Sequence, residues 1–258
     1  MNAAVPEHLE TGKPADAGDL ILERRHRLVR EFLPSPGSHL VDFGCGNGAQ
    51  TEWFSRDFRI TGLDVSEDQI REFVVRMEGT NRTDGMDARG IAYDGHVVPL
   101  ESESADCAIS FEVLEHVEDE AQSLGELFRI LRPGGVLAIS VPNRWWVFET
   151  HGASLPLLPW NRVPFFSWLP KGIHDRWARA RIYRRREIQG LLERQGFEIE
   201  HSAYVTAPMD VVKSVWLRDG LRATVFRGDT TRVPVFSTAV LMIARKPGGS
   251  GGALEPAS

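Results

Sequence analysis

The chain has 258 residues, 42% hydrophobic and 26% charged, with a formal charge of −6. That length supports one large domain whose core needs no covalent staples. Two cysteines, Cys45 and Cys107, exclude a disulfide framework and suit a reducing compartment, and no apolar run reaches the roughly 18 residues of a membrane-spanning helix.

The charge is unevenly placed. Residues 1–159 carry 14 basic and 27 acidic side chains, whereas residues 160–258 carry 16 and 9. The acidic total argues against a general nucleic-acid binder, and the contrast suggests two tasks in one chain. Met1–Asp19 is polar, with Pro6, Gly12, Pro14 and Gly18, and lacks the pattern of a secretory signal. A cytoplasmic protein with a disordered N-terminus (residues 1–18) is expected.

In chain order, Leu20–Leu33 has helical spacing and is stopped by Pro34, Pro36 and Gly37. His39–Phe43 is a short buried strand, Ala49–Phe58 a helix, Ile60–Leu63 a second strand and Glu67–Glu78 a second helix. After the polar connection Thr80–Arg89 come a weak strand at Gly90–Tyr93 and a stronger one at Ala105–Phe111. Glu118–Leu131 is a helix ended by Pro133-Gly134-Gly135, and Val136–Val141 is a fifth strand. This alternation predicts an α/β fold, a parallel sheet with helices on both faces. From Pro142 the rhythm breaks into an aromatic, proline-containing stretch holding Trp145, Trp146, Phe148, Trp160, Phe165, Phe166, Trp168 and Trp177. A helix at Arg185–Gln195 and strands at Phe197–Val205 and Ser237–Arg245 restore it. Pro247–Ser258 has the composition of a disordered tail.

Val41-Asp42-Phe43-Gly44-Cys45-Gly46-Asn47-Gly48 runs from a strand into a glycine-rich turn that opens a helix. Glycines there permit tight turning and close approach of a ligand. Asp64 follows Asp42 by 22 residues and ends the second strand, where a doubly wound fold sets a carboxylate against ribose hydroxyls. With no G-K-[ST] sequence, a P-loop is excluded. Cys107 reads as a small buried hydrophobe and Cys45 as a small residue of the loop. No His/Asp/Glu set has metal-ligand spacing.

These pieces resemble class I S-adenosylmethionine (SAM) methyltransferases, particularly the ubiquinone/menaquinone-methyltransferase-like (type 11) group. The matching motifs, in family order, are Val41–Gly48, Ile60–Val65, Asp94, ADCAISFEVLEHV at Ala105–Val117, LFRILRPGGVLAISVP at Leu127–Pro142 and, loosely, YRRREIQGLLERQGF at Tyr183–Phe197. The resemblance implies a Rossmann-like seven-stranded sheet of order 3-2-1-4-5-7-6 with the last strand antiparallel. It implies one methyltransferase domain over residues 19–246, with an aromatic and basic substrate-side insertion at 143–182 after strand five and a disordered tail at 247–258. It also implies SAM as cofactor. Gly44, Cys45 and Gly46 would line its methionine end, with Asp42 in the scaffold near the amino group. Asp64 would accept the ribose hydroxyls. Val65 would pack on the adenine, Asp94 and Gly95 would meet its edge, and Phe111 and Glu112 would close the carboxyl edge of the sheet.

Methyl transfer needs a positioned acceptor and, for a hydroxyl, a base. The aromatic insertion is the expected cap of the acceptor pocket, and His116, His151 and His174 are the candidate bases, imidazole titrating near neutrality. The acceptor is expected to be a small molecule, foremost a ring hydroxyl or hydroxylated, quinone- or lipid-like metabolite. N- or C-methylation on the same fold, or a non-catalytic SAM-binding partner, are the alternatives. The amino-methylase N-P-P-[YF] motif is replaced by Val141-Pro142-Asn143. The arginines of Arg176–Arg186 form either a solvated face or an anion site, and the 143–186 segment is the candidate peripheral membrane contact.

Overall fold

The structure, a computed structural model, describes residues 19–80, 87–148, 153–155, 158–160, 164–170, 172, 174, 178, 180–210 and 212–248. Residues 1–18 and most of the 247–258 tail, both expected to be disordered, lie outside the described residues, as do His151 and Trp177.

In chain order the described elements are α1 (Asp19–Arg30), β1 (His39–Phe43), β2 (Arg59–Asp64), α2 (Glu67–Glu78), β3 (Ala88–Ala92), β4 (Ala105–Phe111), α3 (Glu120–Ile130) and β5 (Leu131–Pro142). After these come β6 (Ala153–Leu155), β7 (Leu158–Trp160), α4 (Arg185–Arg194), β8 (Glu198–Thr206), α5 (Val215–Ala223), β9 (Thr230–Thr231) and β10 (Ser237–Arg245). The main sheet has the order β3-β2-β1-β4-β5-β10-β8-β9. Strands β1 to β5 run parallel, and β10 pairs antiparallel with both β5 and β8. The expected order therefore holds through β8. The seven-strand count is corrected by an eighth strand, β9, whose two residues pair with Tyr204 and Val205. Two residues show no alternation, so such a strand leaves no periodic signal. β6 and β7 form a separate hairpin.

Alternation along the strands builds two cores, as a sheet covered on both faces requires. Val41 and Phe43 of β1 face one layer, with Leu124, Leu127 and Ile130 of α3 and Ile188 and Leu192 of α4. Leu40, Cys107, Ile109 and Leu241 face the other, with Ile21 and Val29 of α1 and Phe73 and Met77 of α2. Three helix starts are capped. Ser66 accepts the Gln69 N–H, Asp119 accepts those of Ala121 and Gln122, and Glu187 accepts that of Arg184.

The helix expected at Ala49–Phe58 is a 3₁₀ turn at Thr51–Phe54 followed by looser turns. Phe54 and Phe58 are both fully buried, which accounts for their helical spacing. The carbonyl of Asp57 is turned outward to accept the Gly37 N–H at 2.7 Å, and its carboxylate takes Arg30.

The segment between β5 and α4 is closed at its base. Asn143 bridges Tyr183. The Tyr183 N–H donates to Pro142 O and the Arg144 N–H to Tyr183 O, both at 3.0 Å. Asn143 is buried, its side chain donating to Pro234 O and Ser237 O.

Candidate active site

The strand order reverses between β1 and β4, and the carboxyl ends of β1, β2, β3 and β4 meet there, the usual crevice of doubly wound sheets. The glycine loop leaves β1 with Gly44, Gly46 and Gly48 all at positive φ (78°, 50° and 81°). Its amides point into the protein. Those of Gly44 and Cys45 donate to Leu63 O at 2.8 and 2.9 Å, and that of Gly46 to Asp64 Oδ2 at 2.9 Å. The loop is thus strapped to the end of β2. A Cβ on Gly44 would meet Val113 Cγ2 at 2.3 Å, whereas one on Gly46 would find only Gln69 Oε1, at 3.7 Å. Gly46 therefore borders open space, while Gly44 is needed for packing. Cys45 is buried, its Sγ close to the position a Cβ on Gly62 would occupy. Burial pushes its thiol up, out of any nucleophilic role at neutral pH.

Asp64 takes one N–H on each oxygen, from Gly46 and Ser66, both at 2.9 Å. A carboxylate oxygen accepts two bonds, so each retains one position. Partial burial raises its carboxyl, opposed by those N–H bonds. Asp42 is buried beneath the loop and accepts the Thr51 hydroxyl at 2.5 Å. Burial lifts its carboxyl to about 7, with the Thr51 bond opposing and Asp64 adding to the rise.

Asp94 follows β3 and is exposed. Its Oδ1 closes its own turn, accepting His96 and Val97 N–H at 2.9 and 3.2 Å, which holds its carboxyl low. Gly95, at φ 83°, packs with Val65 Cγ1 3.3 Å from where a Cβ would lie. The rim residues Asp64, Val65, Asp94 and Gly95 are thereby gathered on one side of the glycine loop.

Phe111 and Glu112 end β4 on its other side. Glu112 has φ 59°, a strained conformation for a non-glycine residue. Three contacts hold it: its N–H donates to Ser140 O at 2.9 Å, and its Oε1 accepts Ser140 Oγ at 2.9 Å and Arg25 at 2.8 Å. Arg25, on α1, was not read from the sequence as a site residue. It also stands 5.7 Å from the centre of the Phe111 ring. The available signal was positional: Arg24 and Arg25 share a helical face with Ile21, Leu28 and Val29, so arginines interrupt an apolar stripe.

Beyond Glu112 the chain turns through Leu114–His116. Glu115 is buried, and burial, then Glu112, push its carboxyl well up. His116 is 12% exposed, with Nε2 4.0 Å from Glu115 Oε1. Both line a cavity of about 690 Å³ whose other wall includes Ala178, Ala180, Arg181 and Tyr183, from the segment leading into α4. Tyr183 Oη donates to Leu114 O at 3.2 Å, and Arg181 donates to the carbonyls of Val117 and Glu118. The segment between β5 and α4 thus clamps the loop that carries His116. The described tryptophans do not line this cavity. Trp146 is buried with Ala207, Met209 and Phe226, and Trp145 and Trp168 are partly exposed. His174 is fully buried against Phe166, ring centres 5.2 Å apart, in a packing position. Arg176 and Arg179 lie outside the described residues. Arg184 and Arg185 stack over Trp145 and Tyr204, so with Arg181 they are engaged by the protein itself. Among the described residues no group of three or more His, Cys, Asp or Glu could hold a metal. No described helix is long and apolar enough to cross a membrane.

A strand-ending glycine loop strapped to an acidic residue on the next strand, at a switch point, defines a nucleotide-type cofactor site on a Rossmann-like sheet. Comparison with known proteins specifies it. A family model described as a methyltransferase domain matches residues 16–202. A probable SAM-dependent methyltransferase of Mycolicibacterium smegmatis is 31% identical over 203 residues, 78% of this chain and 68% of that protein. A ubiquinone biosynthesis O-methyltransferase of Paramagnetospirillum magneticum is 30% identical over 188 residues, 70% of this chain and 66% of that protein. A crystal structure of a SAM-dependent methyltransferase from Mesorhizobium loti superposes with a TM-score of 0.58 at 23% identity, covering 87% of this chain and 99% of that one, and shows the shared fold. The chain belongs to the class I SAM-dependent methyltransferase family, and SAM is its cofactor.

Proposed function

We propose that the enzyme methylates an oxygen of a small-molecule acceptor, a ring hydroxyl or a hydroxylated, quinone- or lipid-like metabolite. The observation that carries this reading is the cavity with His116 on one wall and Ala178, Ala180, Arg181 and Tyr183, from the segment that follows β5, on the other. An acceptor hydroxyl there meets an imidazole able to take its proton. The O-methyltransferase named among the relatives supports the oxygen.

The residues fit the cofactor. SAM, when bound, supplies a methyl group on a sulfonium, ready for displacement. Asp64 offers its two remaining acceptor positions to the ribose hydroxyls. Val65 and Gly95 form the adenine wall, and Asp94 presents its second oxygen to the ring's edge. Gly44, Cys45 and Gly46 border the amino-acid end, with the open side of Gly46 admitting the ligand. Phe111 and Glu112 close the crevice from β4. His116 is the base of this reading.

The test incubates the full chain and SAM with phenols, catechols, hydroxyquinones and matching amines, and locates the new methyl group by mass spectrometry and NMR. Methylation of oxygen supports the reading; products methylated only on nitrogen or carbon overturn it.

A further inference from the structure

Helix α5 is inverted for a surface helix. Such helices ordinarily bury an apolar stripe and show charge to water. Here the first turn puts Val215, Trp216 and Leu217 outward, 59%, 85% and 48% exposed. The inward side carries arginines. Arg222 donates to Pro208 O and Asp210, and Arg218 pairs with Asp219. Leu221 alone on the helix joins the apolar cluster of Trp146, Ala207, Met209 and Phe226. The helix is thus fixed by Leu221 and by the bonds of Arg222 to Pro208 O and Asp210, leaving Val215, Trp216 and Leu217 unused by the fold. Val225 and Val233, at 53% and 45% exposed, extend the uncovered apolar surface along the same excursion between β8 and β10.

The local charges state what would cover it. Asp210 and Asp219 are taken by Arg222 and Arg218, and Asp229 by Arg24 and Arg27. Lys213, Arg227 and Arg232 are exposed and form no ion pair among the described residues. Among the described residues, the same excursion between β8 and β10 therefore carries three exposed cations without an ion pair alongside its exposed apolar side chains, on a protein whose total charge is −6. A tryptophan standing out of a surface on a segment that also carries unpaired cations matches an interface of acyl chains and anionic headgroups. We infer that α5 is an interfacial anchor that docks the enzyme on an anionic lipid bilayer, Trp216 entering the headgroup–acyl boundary while Lys213, Arg227 and Arg232 meet lipid phosphates. This assignment does not depend on which atom is methylated.

The test is flotation of the full-length protein with phosphatidylcholine vesicles, with and without one third phosphatidylglycerol, at low and high salt. We expect binding to the anionic vesicles at low salt and at least a tenfold loss of bound protein with V215S/W216S/L217S. K213E/R227E/R232E is expected to lose binding as well. Each variant is checked for unchanged Tm and SAM affinity, which exposed positions outside the site should preserve. No flotation of the parent at low salt overturns the proposal, as does parent-like flotation of the apolar triple variant. A concentration-dependent dimer in sedimentation, dissolved by that variant while vesicle binding is absent, overturns it in favour of a second copy as occupant.

Discussion

Asp64 Oδ2 accepts the Gly46 N–H at 2.9 Å, so the acidic end of β2 sets the shape of the loop leaving β1. One carboxylate is therefore asked both to build the cradle and to offer acceptors to what lies in it. Asp64→Ala removes both functions. We expect SAM binding, read by calorimetry, to weaken about 10- to 100-fold, the cost of one or two charge-assisted bonds. Asp64→Asn keeps one acceptor oxygen and should fall between.

The two glycines of that loop should separate packing from ligand access. Gly44→Ala drives a methyl into Val113 and should lower Tm by several degrees, overpacking costing about 1–3 kcal/mol. Gly46→Ala meets open space and carries chiefly the cost of its positive φ, about 1 kcal/mol. Its Tm should fall less, while SAM affinity falls more. Equal losses of affinity at equal Tm shifts would contradict this division.

Asp42 makes stability depend on pH. Its carboxyl, lifted to about 7 by burial, holds a proton in the folded protein that the unfolded chain releases near the ordinary carboxylate range. Its favourable contribution is complete below that range and is lost as pH rises through about 7. Asp64 and Glu115, also raised, act in the same direction. Asp42→Asn should flatten, without abolishing, the fall in unfolding free energy between about pH 4 and 7. Denaturant midpoints at several pH values measure the slope.

His116 and His174 should respond oppositely to removal. His116→Ala is expected to slow single-turnover methyl transfer by about 10²- to 10⁴-fold, the usual contribution of a positioned base, with little change in Tm. His174→Ala opens space beside Phe166 and should cost about 1–3 kcal/mol of stability with a near-normal rate. A parent-like rate for His116→Ala removes it from the chemistry.

The parallel core of the fold was legible because each strand is a short apolar run followed by a helix, and the glycine loop with Asp64 marks the switch point. What periodicity cannot show are parts held by contacts between distant residues. Arg25 reaches Glu112 across 87 positions, and Arg181 closes on a loop 64 positions away. Phe54 and Phe58 have helical spacing, yet they reach the core from a 3₁₀ turn and the looser turns after it. The tryptophans of the insertion carried an ambiguous signal, since aromatic bulk fills a small core as readily as it lines a pocket. Trp146 took the first course.

The bridge between Asn143 and Tyr183 has a consequence for how such enzymes diversify. Because the chain leaves and rejoins the sheet at neighbouring points, the intervening segment is a module on a fixed hinge plate. Changing its length alters loop-closure entropy only logarithmically and leaves the Gly44–Gly48 loop and Asp64 where they are. The segment can therefore be exchanged while the methyl-donor site stays intact, and a protein engineer can cut and graft at the same two residues.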